Sequence, residues 1–229
     1  AGYVRVPAAW AVRLPTNLTP RDAMIYGTAG LTAAQCVEAL VARGVTPTSG
    51  EVVVTGASGG VGSIAVGILA KLGYTVAAVS GKPEAADLLK KLGAATILTR
   101  ADVVDESPKP LWAARFAGAV DTVGGKTLGT VLRSLKRAGV CAACGLVGGV
   151  EIPITVMPFI LRGIDLAGID SVECPMEQRV RIWNNLSDAW RLPLLSELAH
   201  KITLRDVPAQ VDRILKGGVT GRVIIRPEA

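Results

Sequence analysis

The chain is poor in the residues that most often carry acid–base and metal chemistry. It has one histidine, His200, in 229 residues. A Ser/His/Asp or Cys/His constellation would rest on that single distant side chain, and His200 at the start of a strand reads as structural. The four cysteines, Cys36, Cys141, Cys144 and Cys174, are scattered and form no disulfide framework, so reduced thiols of a cytoplasmic protein are expected. Cys141 and Cys144 have C-x-x-C spacing but lie in an apolar strand, and with so little histidine they read as core residues; no metal site is expected. Aromatics make up only 4% of the chain and no Lys/Arg run stands out. Nucleic acid is therefore not the expected partner, and the net charge of +6 suits small anionic ligands better. The uncharged stretch 52–70 could be mistaken for a membrane span, but clustered glycines, Thr55 and Ser58 interrupt it, and no membrane partner is expected.

What is present is a balanced globular composition, 50% hydrophobic and 19% charged. From Glu51 strands and helices alternate. Strands are expected over 51–55, 75–79, 96–98, 118–123, 139–144 and 164–169. Between them, 63–73, 84–93 and 126–135 carry apolar residues at helical spacing, and Gly73 and Gly93 stop the first two. A helix over 27–44 leads in. Such alternation predicts an α/β fold with a Rossmann doubly wound parallel sheet. Residues 1–20, with Pro7, Pro15 and Pro20, read as an extended segment of another unit, and Ala1 falls in what looks like the middle of a strand, as in a fragment. After Ser171, a helix (176–190), a strand (201–204), a helix (207–216) and a strand (222–226) are expected. The division is thus 1–24, a remnant of a second domain; 25–170, the nucleotide-binding domain; and 171–229, its end and strands returning to the second domain.

The stretch TGASGGVG (55–62) lies between a strand and a helix. A tight glycine turn there lets backbone N–H groups approach a pyrophosphate at a helix N-terminus. The dinucleotide fingerprint G-x-G-x-x-G aligns as Ala57, Gly59 and Gly62, with alanine for the first glycine. A turn used only for packing is the plain alternative. The pattern T-G-x-x-x-G-x-G of short-chain dehydrogenases also fits at Thr55, Gly56, Gly60 and Gly62. That family needs Tyr-x-x-x-Lys, and here Tyr3, Tyr26 and Tyr74 are followed four residues on by Pro7, Gly30 and Ala78, so this reading is rejected.

The next strand ends VAAVSGK (76–82). An NAD site ordinarily has Asp or Glu about 20 residues beyond the turn to accept from the ribose hydroxyls. Here stand Ser80, Gly81 and Lys82, and Arg100 ends the third strand. A hydroxyl, a free N–H, an ammonium and a guanidinium suit a phosphate dianion, which predicts NADPH over NADH. Lys82 alone reads equally well as a solvated lysine. Asp121, at the end of the fourth strand, either faces the cofactor crevice or bonds backbone.

The segments YGTAGLTAAQCV, GEVVVTGASGGVGSIAV, LGYTVAAVSGK, DTVGG, CAACGLVGG, TVMPFILRGIDLAGIDSVECP and GRVIIR closely resemble the zinc-independent medium-chain dehydrogenase/reductases, quinone oxidoreductase-like. More narrowly they resemble the NADPH-dependent acryloyl-CoA reductase group. The resemblance implies a Rossmann domain beside a GroES-like catalytic domain whose remnants lie at both termini, with the family's active-site tyrosine in a segment ahead of Ala1. It implies pyrophosphate contacts from Ser58, Gly59, Gly60 and Val61. Ser80, Gly81, Lys82 and Arg100 would take the 2′-phosphate, and Thr28, Leu146, Ile160 and Ser171 would lie near the nicotinamide half. Near the C-terminus the family sets a polar side chain against the cofactor, where this chain reads KGGVTGR. The implied activity is hydride transfer from NADPH to the activated C=C of an enoyl substrate, acryloyl-CoA to propanoyl-CoA. Rival readings are a quinone oxidoreductase, an NADPH-binding module without turnover, and an RNA-binding side role. The small-molecule partner is then an enoyl-CoA or a quinone, and the intact protein is expected as a homodimer.

Overall fold

The computed structural model describes residues 3–226. The expectation that Ala1 falls within a strand lies outside those residues. The first helix, α1 (Pro20–Ala42), begins seven residues earlier than the periodicity suggested. Thr19 and Asp22 cap it reciprocally and Pro20 occupies its first position, both strong start signals. Gly27, with φ 48 and ψ −149, breaks the helical geometry inside it. That kink separates the two halves that the sequence pattern treats differently.

The central sheet comprises β1 (Val52–Val54), β2 (Val76–Val79), β3 (Thr96–Leu98), β4 (Phe116–Asp121), β5 (Leu135–Ala143) and β6 (Asp165–Gly168). All neighbours are parallel, in the order β3-β2-β1-β4-β5-β6. The chain runs outward from β1 to β3, then returns beside β1 to lay β4, β5 and β6 on the other side. This reversal leaves a crevice at the carboxyl ends of β1 and β4, where ligands bind in open α/β sheets. The fourth strand ends at Asp121 and not at Val123, and the fifth begins at Leu135, before the glycine that marked it in the sequence.

Crossover helices α2 (Gly60–Lys71), α3 (Ala86–Lys91), α4 (Gly125–Ser134) and α5 (Met157–Arg162) cover the sheet, with α6 (Met176–Ser187) against α1. Along β1, Val52 and Val54 join the apolar layer under α1 and α2, while Val53 joins the opposite layer under α4. This is the two-residue side-chain period of a strand buried on both faces. The stretch 52–70 is thus a strand, a turn and a helix. Among the described residues only α1 is long and apolar enough to cross a membrane, and 72% of its apolar window is buried inside the protein. The last elements are β7 (Ala199–Thr203), α7 (Val207–Leu215) and β8 (Arg222–Arg226), with β7 and β8 paired in parallel as a small separate sheet. His200 lies on β7 opposite Val223, with an exposed side chain.

Candidate nucleotide-binding site

The crevice is tied shut underneath by one buried carboxylate. Asp121 is fully buried; it accepts from the Thr55 hydroxyl at 2.6 Å and from the backbone N–H groups of Gly124 at 2.7 Å and Val123 at 3.3 Å. Thr55 in turn accepts from the Thr122 N–H at 3.1 Å. The ends of β1 and β4 are therefore held at fixed separation. Burial raises the Asp121 carboxyl above the usual aspartate range, and the three donors oppose that rise. Of its two expected roles, bonding backbone is the one seen.

Above this knot the chain turns through Gly56, whose φ is +58. The Thr122 hydroxyl occupies the place of a Cβ there. A Cβ on Gly62 would meet the Gly56 carbonyl and, at 2.7 Å, the Ala57 Cα, so only glycine lets α2 start this close to the turn. Gly59 precedes α2 without any side-chain cap. The first-turn N–H groups of Gly60 and Val61 thus lack an intrahelical acceptor, and both residues line the cleft. An anion is the natural partner for such groups.

The cleft has a volume of about 590 Å³ and is walled by Ser58, Gly59, Gly60, Val61, Gly81, Lys82 and Arg100, all seven named from the sequence. A Cβ on Gly81 would run into the Arg100 guanidinium, so the missing side chain is what lets Arg100 lie over the end of β2. The Lys82 ammonium donates to the Val219 carbonyl. Burial lowers the Lys82 pKa, Glu84 opposes this, and the nearby Arg100 charge adds to it. Neither Lys82 nor Arg100 forms an ion pair among the described residues. Two neighbouring cations without a carboxylate partner make a seat of positive potential.

Other expected contacts fall elsewhere. Ser80 is not at the surface of the cleft: its hydroxyl donates to the Ser58 hydroxyl at 3.0 Å and accepts from the Lys82 N–H at 3.1 Å, so it braces the floor from below. Thr28, Leu146, Ile160 and Ser171 do not line the cleft. Leu146 and Ile160 are 67% and 73% exposed. The Ser171 carbonyl accepts from Arg179 at 3.2 Å. The cysteines are less scattered in space than in sequence. The Cys36 and Cys144 thiols perturb each other, Cys36 upward and Cys144 downward, while Cys141, raised by burial, belongs to the apolar layer on the other face of the sheet. Among the described residues no three His, Cys, Asp or Glu side chains gather as a metal site.

Arg222 was not singled out from the sequence. Its Nε donates to the Ile25 carbonyl at 2.9 Å, and its guanidinium fills the space beside Gly27 and Gly60, at the foot of α2. Burial lowers its pKa. Only the fold brings residue 222 beside residue 60; the signal available was the GR pair that follows the last glycines.

The strand order and the glycine turn at the switch point define a Rossmann-type nucleotide-binding unit. The family model of the zinc-binding dehydrogenases matches residues 60–186, and the chain belongs to that family. It is 48% identical to the acrylyl-CoA reductase AcuI of Ruegeria pomeroyi over 96% of the chain and 67% of that protein. It is likewise 48% identical to YhfP of Bacillus subtilis, named as a quinone oxidoreductase, over 98% of the chain and 68% of that protein. The crystal structure of the yhdH oxidoreductase from Salmonella enterica in complex with NADP superposes with a TM-score of 0.94 at 48% identity, covering 98% of this chain and 68% of that one. That of Bacillus subtilis yhfP with NAD bound superposes at 0.93 and 47% identity, covering 97% and 68%. The resemblance to medium-chain dehydrogenase/reductases read from the motifs is borne out.

Proposed function

We propose that this chain seats NADPH in the cleft between β1, β2 and β4 and serves an NADPH-dependent reductase acting on the activated C=C of an enoyl thioester of the acryloyl-CoA kind. The observation that carries the cofactor is the unpaired cation pair, Lys82 and Arg100, gathered over Gly81 where an NAD site would present a carboxylate. The residues fit the group. The uncapped first turn of α2 and Arg222 would hold the diphosphate, Lys82 and Arg100 the 2′-phosphate, and Ser80 would keep Ser58 in place beneath. Bound NADPH supplies a hydride for the β-carbon of the enoyl group. The chain's part is to orient the dinucleotide and neutralise its phosphates. Thr28, Leu146, Ile160 and Ser171 are proposed to border the nicotinamide half once a substrate domain covers them.

Titration with NADPH and NADH tests the seat. Affinity for NADPH at least about tenfold higher is expected from one or two charge-assisted hydrogen bonds; equal affinities overturn it. The contrast is pointed, because one relative is solved with NADP and another with NAD. The substrate is tested by following NADPH oxidation with acryloyl-CoA and with a quinone, the second reading favoured by the name of YhfP. Oxidation by quinones alone removes the thioester. The expected homodimer suits the edge of β6, which among the described residues pairs only with β5, and sedimentation tests it.

A further inference from the structure

A second, smaller cavity of about 260 Å³ lies between the segment ahead of α1 and helix α6. Its lining residues include Trp10, which is 73% exposed, Trp183, Arg13, Arg179, Leu14 and Ala23. No carboxylate lines it. Trp183 is fixed from behind: its ring meets Tyr26 edge-on, 6.5 Å between centroids at 83°, and the Tyr26 hydroxyl accepts from the Leu192 N–H at 2.9 Å. The Arg179 guanidinium donates through one Nη to the carbonyls of Ser171 and Val172 at 3.2 and 3.3 Å, which fixes the charged head without giving it a carboxylate partner. Arg13 is exposed and forms no ion pair among the described residues.

Two tryptophans and two arginines without carboxylate partners, with no acid in the lining, suit a flat heterocycle that carries a phosphate. The volume is below the roughly 300 Å³ at which whole-ligand pockets begin, so it suits a head group only. Its position fits a ligand that continues elsewhere. Ala23 in its wall is one helical turn, about 6 Å of rise, from Gly27 on α1. Gly27 touches Arg222, which also lies against Gly60 in the nucleotide cleft. Ser171 and Val172, which hold Arg179, follow β6 at the carboxyl end of the sheet.

We propose that this cavity holds the adenosine 3′-phosphate end of a coenzyme A thioester, while the acyl end reaches toward the nucleotide cleft. Trp10 and Trp183 stack the adenine, and Arg13 and Arg179 take the 3′-phosphate. This rests on the enoyl-thioester reading above. The test is calorimetric titration of the 229-residue chain, saturated with NADP so that the first cleft is filled, with CoA, dephospho-CoA and adenosine 3′,5′-bisphosphate. CoA and the bisphosphate are expected to bind, and dephospho-CoA about tenfold or more weakly than CoA. Trp10→Ala and Arg13→Glu should each weaken CoA by about tenfold and leave NADP affinity unchanged, which also reports that the variants are folded. CoA binding that neither substitution alters overturns the cavity and leaves the thioester reading standing. NADP binding with no CoA binding at all overturns both.

Discussion

The two halves of the proposed dinucleotide site are built by different means. The phosphate half is local. A turn, a helix start and two strand ends converge within about fifty residues, and seven of the expected residues wall one cleft. The nicotinamide half, as expected from resemblance, is drawn from Thr28, Leu146, Ile160 and Ser171, none of which lines that cleft. Backbone geometry alone can shape a phosphate seat, because N–H groups and a missing Cβ do the binding. A pocket for an apolar ring needs side chains brought in from several places.

The largest test of that contrast is Gly62→Val. A side chain there meets the Gly56 carbonyl and Ala57, so affinity for NADPH should fall roughly 100-fold, about 3 kcal/mol, with about 1–3 kcal/mol of stability lost by overpacking. Calorimetry and thermal melting read both, and unchanged binding breaks the local account. Next comes Arg100→Ala. NADPH affinity should drop about tenfold while NADH is unaffected, since only one ligand carries the 2′-phosphate; equal losses would show that Arg100 serves the turn and not the phosphate.

Lys82 gives a smaller, pH-dependent effect. Its folded pKa is lowered, chiefly by burial, so the charged form is already disfavoured in the empty protein. A phosphate favours that charged form, and binding then takes up a proton at alkaline pH. The preference for NADPH over NADH should be full where Lys82 is protonated and should decline as pH rises, starting below the ordinary lysine value near 10.4. Lys82→Arg should flatten that decline; a wild-type ratio independent of pH counts against the contact. The smallest effect belongs to the other half. Ile160→Ser, at an exposed position, should change NADPH affinity less than about twofold and stability within about 0.5 kcal/mol. A larger loss would show that the nicotinamide half already operates in this chain.

Much of this architecture was legible because its signals are short-range. β-Branched runs, helical spacing and glycine stops located every strand of the main sheet to within a few residues. The strand end VAAVSGK announced the cation pair through the absence of a carboxylate. Misplaced features depend on contacts across the chain or on caps. The start of α1 at Pro20 is set by Thr19 and Asp22, overlooked beside three prolines. That the Ser80 hydroxyl bonds Ser58, twenty-two residues away, is likewise invisible to a reading of the strand end alone. Arg222 reaches Gly60 only once β8 is in place. The buried Arg133, which ties down the loop at Asp105, Ser107 and Lys109, left no mark in a pattern read for periodicity.

The contact between Lys82 and the Val219 carbonyl fastens the loop ahead of β8 to the end of β2. An ammonium carries three donors, so Lys82 can keep that carbonyl and still present N–H groups to an anion. The loop 216–221 is tied to the glycine turn as well, by the Gly221 N–H on the Ser58 carbonyl at 2.9 Å. Residues more than a hundred positions apart in the sequence are thus fastened together along one edge of the cleft.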